Sequence, residues 1–320
     1  MNEAEAIERL RGFATDPAAR GLMDDAALFG GLVITHDTIA EGVHFLPSDP
    51  ADSVAWKLVA VNLSDLAAKG ATPAVALLSL TIGEDDGWDA AFIDGIEAAC
   101  AHFDLALIGG DTIALPPGSP RVFGLTAIGR AGPNMPSRSD AKPGDRLWLV
   151  GTVGDSAAGL ALLEQDPEAA GSLVEAYRRP TPLLAVGQAL SPHATAMMDV
   201  SDGLLLDARR LAEASGCGAT VDLDALPLSK AFVAAHGNGL EAQLFAGTGG
   251  DDYALLAALP AELDPLRLSL PSGTSIRCIG TCRADGETLR LVSNGKPVAL
   301  PETLGHEHYG NSASPVAGRP

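Results

Sequence analysis

The feature that most constrains this chain is the placing of its aspartates. Asp24 and Asp25 stand in MDDAA, Asp37 in THDTIAEGVHF, Asp65 in NLSDLAAKG and Asp111 in IGGDT. Asp199 and Asp202 stand in DVSDGL, and Asp251 and Asp252 in GGDDY. Most adjoin Gly, Ser or Thr where an apolar run ends, which is where a strand or helix gives way to a loop. Carboxylates gathered at such ends repel one another by about 4 kcal/mol per close pair at an effective dielectric of about 20. A fold tolerates that gathering if it holds divalent cations. Hard cations with oxygen ligands point to Mg2+, and Mg2+ points to phosphate.

The 320 residues give room for two ordinary domains. A hydrophobic content of 47% with only 4% aromatic residues implies a globular core of Ala, Val, Leu and Ile. The net charge of -20 argues against a nucleic-acid partner or an anionic membrane. An anionic substrate then needs metal or local Arg to offset repulsion. Cys100, Cys217, Cys278 and Cys282 form no disulfide framework. The N-terminal MNEAEAIERLRGF is charged and helical in pattern rather than a signal peptide, and no apolar stretch reaches the length of a membrane span. The expected location is the cytoplasm.

Hydrophobic patterning predicts an α/β first domain. Its helices fall at 3–15, 53–69 and 88–102, the second capped by Asp52 and stopped by Gly70. Its strands fall at 32–35, 75–82, 105–108 and 122–128, with Gly109-Gly110 breaking the third. The Pro-, Gly- and Ser-rich stretch 129–145 marks a boundary, placing domains at 1–135 and 136–310. The second domain is also α/β, with strands at 147–150, 195–198, 220–223, 253–258 and 275–279 and helices at 155–164 and 202–215. The Ser/Pro/Gly-rich residues 311–320 are expected to be a disordered tail.

There is no G-x-x-x-x-G-K-[ST] and no kinase-type lysine signature. Metal ions and loop amides must therefore do for a nucleotide what a P-loop lysine does elsewhere. Gly109-Gly110-Asp111-Thr112 offers backbone amides beside a hard ligand, and is equally an ordinary turn. In DVSDG, Ser201 suits a helix N-cap and Asp202 the first turn, which leaves Asp199 unexplained at the end of an apolar run. Asp65 lies late in an apolar helix, where Asn62, Ser64 and Asp65 make either a solvated face or the lining of a site. Thr35, Asp37 and His44 follow one strand, and His44 is either packed core or a ligand. Arg138, between the domains, is either a phosphate clamp or a solvated charge.

In order, MDDAA, THDTIAEGVHF, AVNLSDLAAKGATP, LIGGDT, SRSDAKPGD, GDSAAGL, DVSDGL and GGDDYALL resemble the thiamine-monophosphate kinase family, within the superfamily of aminoimidazole ribonucleotide synthetase and selenophosphate synthetase. The resemblance runs from about residue 20 to 260 and more weakly to 309. It implies an α/β (α+β) fold of two domains, an N-terminal mixed domain that binds ATP and Mg2+ and forms the dimer sheet, and a C-terminal α/β sandwich. It implies a homodimer that transfers the γ-phosphoryl of ATP to thiamine monophosphate, giving thiamine diphosphate, with several Mg2+ ions.

By motif, the resemblance implies Asp24, Thr35, Asp37, Asp65, Asp111, Asp199 and Asp202 as Mg2+ ligands. It implies Gly110, Asp111, Arg138 and Ser201 as ATP contacts, and His44, Asp251 and Thr303 as contacts to thiamine monophosphate. The chain departs from the family pattern at Met23, where Gly is usual, and at His36, where a hydroxyl residue is usual. It departs also at Asp140 after Arg138-Ser139, and at Asp251, one methylene shorter than the usual Glu. Thr303 falls where the family often has an aromatic, leaving His306 or Tyr309 to stack on thiamine. Two other functions suit the same residues: an ATP-dependent superfamily enzyme with a different small acceptor, and a non-catalytic dimer that binds Mg-ATP or thiamine phosphates. No Cys precedes Cys100, which argues against a selenophosphate synthetase.

Overall fold

The computed structural model describes residues 3–307, so Tyr309 and the expected tail lie outside the described residues. The first half comprises α1 (Glu3–Arg11), β1 (Ala27–Phe29), β2 (Leu32–Ala40), α2 (Ala51–Ala68), β3 (Thr72–Ile82), α3 (Asp86–His102), β4 (Ala106–Ala114) and β5 (Val122–Arg130). Its five strands lie in the order β1-β2-β5-β3-β4. Strands β3 and β4 run parallel with α3 between them in sequence, and the other pairs are antiparallel.

Strand β2 is longer than its pattern suggests. It pairs with β5 from Leu32↔Arg130 to Ala40↔Val122, so His36 and Asp37 are strand residues, not loop. Nor do Gly109-Gly110 break β4, which runs through them along β3. The glycine is required by the ladder: a Cβ on Gly110, at φ +155, would lie 1.9 Å from the Leu78 carbonyl oxygen. The buried strand expected there is fully exposed, because β4 is the edge of the sheet.

The second half comprises β6 (Arg146–Val150), α4 (Asp155–Gln165), α5 (Ser172–Arg178), α6 (Leu184–Leu190), β7 (Ala196–Val200), α7 (Leu204–Ala214), β8 (Gly218–Asp222), α8 (Lys230–His236), α9 (Leu240–Thr248), β9 (Ala254–Leu259), β10 (Ile276–Arg283), β11 (Leu289–Ser293) and β12 (Lys296–Val298). These strands form a seven-stranded sheet, β12-β11-β8-β10-β6-β9-β7, antiparallel except between β8 and β11. Helix α7 starts at Leu204 with Gly203 as its cap residue. Ser201 makes no capping bond there, contrary to expectation.

Helix α2 joins the two halves. A helix apolar on every side is a buried helix, and sixteen of its eighteen residues are buried. It packs on β2, β5 and α3 of its own half and on α6 and β7 of the other. Gly187 of α6 permits the closest approach, since a Cβ there would lie 2.0 Å from the Ala67 carbonyl oxygen. Ala67 and Ala68 share one apolar cluster with Trp148, Leu190, Met197 and Leu255, so the halves are joined by core rather than by a hinge. Pro50, not Asp52, caps α2, while Gly70 at φ +61 follows its end as expected. Among the described residues no helix is long and apolar enough to cross a membrane.

Candidate active site

The polar residues of α2 are what this burial positions. Lys57, Asn62, Ser64 and Asp65 are all at most 9% exposed. Asp65 lines a cavity of about 410 Å3 between the halves, a size suited to a small-molecule ligand, and Lys57, Asn62 and Ser64 bond to residues that line it. The solvated-face alternative for Asp65 is thereby overturned.

Part of the cavity lining is acidic. Asp25, Asp37, Asp65, Asp199 and Asp202 line it, with Ser201 and Arg138. Thr35 is buried on β2, and its Oγ1 donates to Asp65 Oδ2. Asn62 Oδ1 accepts from the Asp37 backbone N–H at 2.9 Å, and Ser64 Oγ donates to Asp199 Oδ2 at 2.7 Å. Burial, then Asp25 and Asp202, push the Asp37 carboxyl up to about 6. Burial and the neighbouring carboxylates hold Asp65 and Asp199 well above the usual range. Behind Asp202, burial and the Asp202 charge push Asp207 up to about 7.

The two aspartates of MDDAA differ. Asp24 lies outside the cavity lining, held by Arg20 Nε at 2.6 Å and by buried Lys69 Nζ at 2.5 Å. Asp25, not carried over by motif, faces the cavity and pairs with Lys69 at 2.6 Å and with Arg138. Burial opposes its charge, but those two cations bring it down to about 2. Arg138 is therefore neither a solvated charge nor unengaged.

The donor set can be weighed for metal. Lys69 and Arg138 are engaged by Asp24 and Asp25, and Arg210 pairs with Asp202 and Asp207. Among the described residues Asp37, Asp65 and Asp199 pair with no such cation, so nothing offsets the burial and neighbouring carboxylates that raise them. Among the described residues no three carboxylate, imidazole or thiol groups converge on one ion-sized point. All-oxygen donors that complete no cage fit cations keeping part of their shell for water and phosphate, as Mg2+ does.

The rest of the lining is mixed and includes Val43, His44, Leu160, Tyr177, Asp251, Tyr253 and His306. His44 Nδ1 accepts the Ala40 backbone N–H at 3.1 Å, so a neutral ring carries its proton on Nε2. Asp251 and Tyr253 take left-handed φ values of 71° and 52°, a conformation costing about 1–3 kcal/mol unless its surroundings enforce it. Here the Asp251 N–H binds Ser201 O at 2.6 Å and the Tyr253 N–H binds Val200 O at 2.8 Å, fixing the loop to the end of β7.

Besides Asp24, three expected residues fall outside the lining. Gly110 and Asp111 lie on β4, and the register Thr38–Gly124–Ser79–Asp111 separates Asp111 from β2 by three strand spacings, about 14 Å. Thr303 is exposed and outside the lining, which His306 joins instead through its N–H to Asp202 O at 2.8 Å.

Family models match over both halves: AIR synthase related protein, N-terminal domain, at 23–131, and the C-terminal domain at 142–265. The thiamine-monophosphate kinase of Salmonella typhimurium is 42% identical over 96% of each chain, and that of Escherichia coli 40% over the same share. The chain belongs to the thiamine-monophosphate kinase family. AaThiL complexed with AMPPCP and TMP shares the fold with a TM-score of 0.82, at 29% identity over 96% of this chain and 97% of that one. Thiamine-monophosphate kinase from Stenotrophomonas maltophilia K279a gives 0.74, at 36% identity over 92% and 96%.

The departures from the family's pattern now have places. Met23 takes φ -119°, which any residue adopts, so no glycine is needed. His36 lies on the outer face of the sheet, its Nδ1 2.9 Å from Thr126 Oγ1, outside the cavity lining. Tyr177 and Tyr253, which line the cavity, and Lys57 behind them were not legible, because nothing near EAYRRP, DDYALL or AWKLVA marks them for a site.

Proposed function

We propose that this chain transfers the γ-phosphoryl of ATP to thiamine monophosphate, giving thiamine diphosphate. The observation that carries the reading is a cavity with both an acidic and a mixed, partly aromatic lining, in a chain 42% identical to such a kinase along nearly its whole length. The acidic lining suits metal-bound polyphosphate, and the mixed lining suits a heteroaromatic acceptor. That AaThiL was solved with AMPPCP and TMP supports ATP and thiamine monophosphate as the pair.

Mg2+ held by Asp37, Asp65, Asp199 and Asp202, with Thr35, would neutralise the two polyanions and align their oxygens. The attacking group is a phosphate oxygen that is already anionic, so no protein base is assigned and in-line transfer needs positioning alone. Arg138 and Ser201 would meet the nucleotide phosphates, and His44 and Asp251 the acceptor.

The same reading makes the protein a homodimer. Strand β4 exposes Leu107, Ile108 and Ile113 along an unpaired edge. Such an edge invites pairing with a second chain. Asp111, too far from Asp37 within one chain, would then serve the site of the partner copy. Purified protein given Mg-ATP should release ADP only when thiamine monophosphate is present, with thiamine diphosphate appearing in step by chromatography. ATP binding without turnover would instead favour a different acceptor or a binding role.

A further inference from the structure

Lys57 is a lysine whose whole surroundings belong to the cavity. It is 1% exposed on α2, and an ammonium that deep is sustained only by paired charge and hydrogen bonds. Its Nζ donates to the His44 carbonyl at 2.9 Å, pairs with Asp251 Oδ2, and sits 3.9 Å from the centroid of the Tyr177 ring. All three partners line the mixed part of the cavity wall. Lys69, the other fully buried lysine, differs: of its partners Asp24, Asp25 and the Met197 and Pro136 carbonyls, only Asp25 lines the cavity.

The pairing also accounts for the short side chain at Asp251. Oδ1 accepts from Tyr253 Oη at 2.8 Å, while Oδ2 meets Lys57 and, at 3.3 Å, Ser156 Oγ. The carboxylate is thus drawn back toward α2 on a left-handed backbone, and its side chain keeps 26% exposure. One cation ties a helix of the first half to a turn of that half and a loop of the second.

We propose that Lys57 is a positioning residue for the phosphate acceptor, setting Asp251 and the His44 turn as one unit against its organic part. This rests on the acceptor reading above. The bound acceptor touches Asp251, His44 and Tyr177, and Lys57 acts through them. Because Lys57 balances Asp251, this part of the wall presents a hydrogen-bonding edge and a ring rather than net charge.

The test is steady-state kinetics on the full chain with Lys57→Met and with Lys57→Gln, which keeps a donor on a side chain one atom shorter if the methionine variant does not fold. The KM for thiamine monophosphate should rise about tenfold while the KM for Mg-ATP stays within about twofold. Asp251→Asn should raise the acceptor KM similarly, and Lys57→Met/Asp251→Asn should be no worse than the poorer single variant. Additive losses, or equal rises in both KM values with a lowered melting temperature, would overturn the proposal and leave Lys57 a structural ion pair. An unmodified chain that makes no thiamine diphosphate would sink the acceptor reading itself, and this proposal with it. A competent parent with an unchanged Lys57→Gln would sink only the latter.

Discussion

The hydroxyl of Ser64, on a helix of the first half, donates to Asp199 Oδ2 at 2.7 Å at the end of a strand of the second. That bond favours the charged carboxylate, against burial and the Asp25 charge. Ser64→Ala should therefore weaken cation uptake: the Mg2+ concentration for half-maximal turnover should rise about tenfold, equivalent to about 1.4 kcal/mol. Urea unfolding of the metal-free protein should also show a loss of about 1–3 kcal/mol, as expected for an unsatisfied buried acceptor. An unchanged Mg2+ dependence would remove Asp199 from the metal set.

The raised carboxyls give the metal-free protein an unusual pH profile. Asp37 is pushed to about 6 from its ordinary 3.8, so between those values the folded state holds a proton that the unfolded state has lost. Stability is then full below about pH 4 and declines as pH rises through 6, by about 3 kcal/mol for a shift of about two units. Asp207, at about 7, extends the decline. Melting temperature in EDTA should fall from pH 4.5 to 7.5, and Mg2+ should restore it at the upper end. Asp37→Asn should flatten the lower part of the slope. A profile unaltered in that variant would mean that Asp37 does not carry it.

Lys69 makes the opposite kind of contribution. It is fully buried between Asp24 and Asp25, and removing one partner of a buried ion pair costs about 3–5 kcal/mol. Lys69→Met should lose stability at the lower end of that range in urea, because Arg20 and Arg138 still reach the two carboxylates. Adding Asp24→Asn should recover part of the loss. Full stability in Lys69→Met alone would show that the arginines suffice.

What the sequence made legible follows from what kind of force placed each group. Asp65, Asp199 and Asp37 stood out because carboxylates in apolar runs need a reason, and the fold brings all three to one cavity. The course of β2 and β4 was not legible. Apolar alternation stops at His36 and at Gly109-Gly110, yet ladder pairing to β5 and β3 carries both strands on. Lys69 meets both Asp24 and Asp25, and what parts them is Arg20 on the first and Arg138, more than a hundred residues away, on the second, a partner nothing near MDDAA announces. Lys57 escaped for the same reason: its counter-charge, Asp251, is distant in sequence and met only through α2.

Asp111 offers the sharpest test of the dimer. It lies three strands from β2, on the far edge of the five-stranded sheet, too far within one chain for its carboxylate to share an ion with Asp37. Asp65→Ala and Asp111→Ala should each abolish turnover rather than only raise KM. If Asp111 serves the partner's site, co-refolding the two inactive variants in equal amounts creates mixed dimers. In these, one site combines Asp65 from one chain with Asp111 from the other. Half of the dimers are mixed and each holds one intact site, so about a quarter of the parent activity should return. Ile108→Lys, on the same exposed edge, should shift the protein to monomer in sedimentation and abolish turnover with it. No recovery on mixing, from proteins shown to exchange subunits, would place Asp111 outside the site.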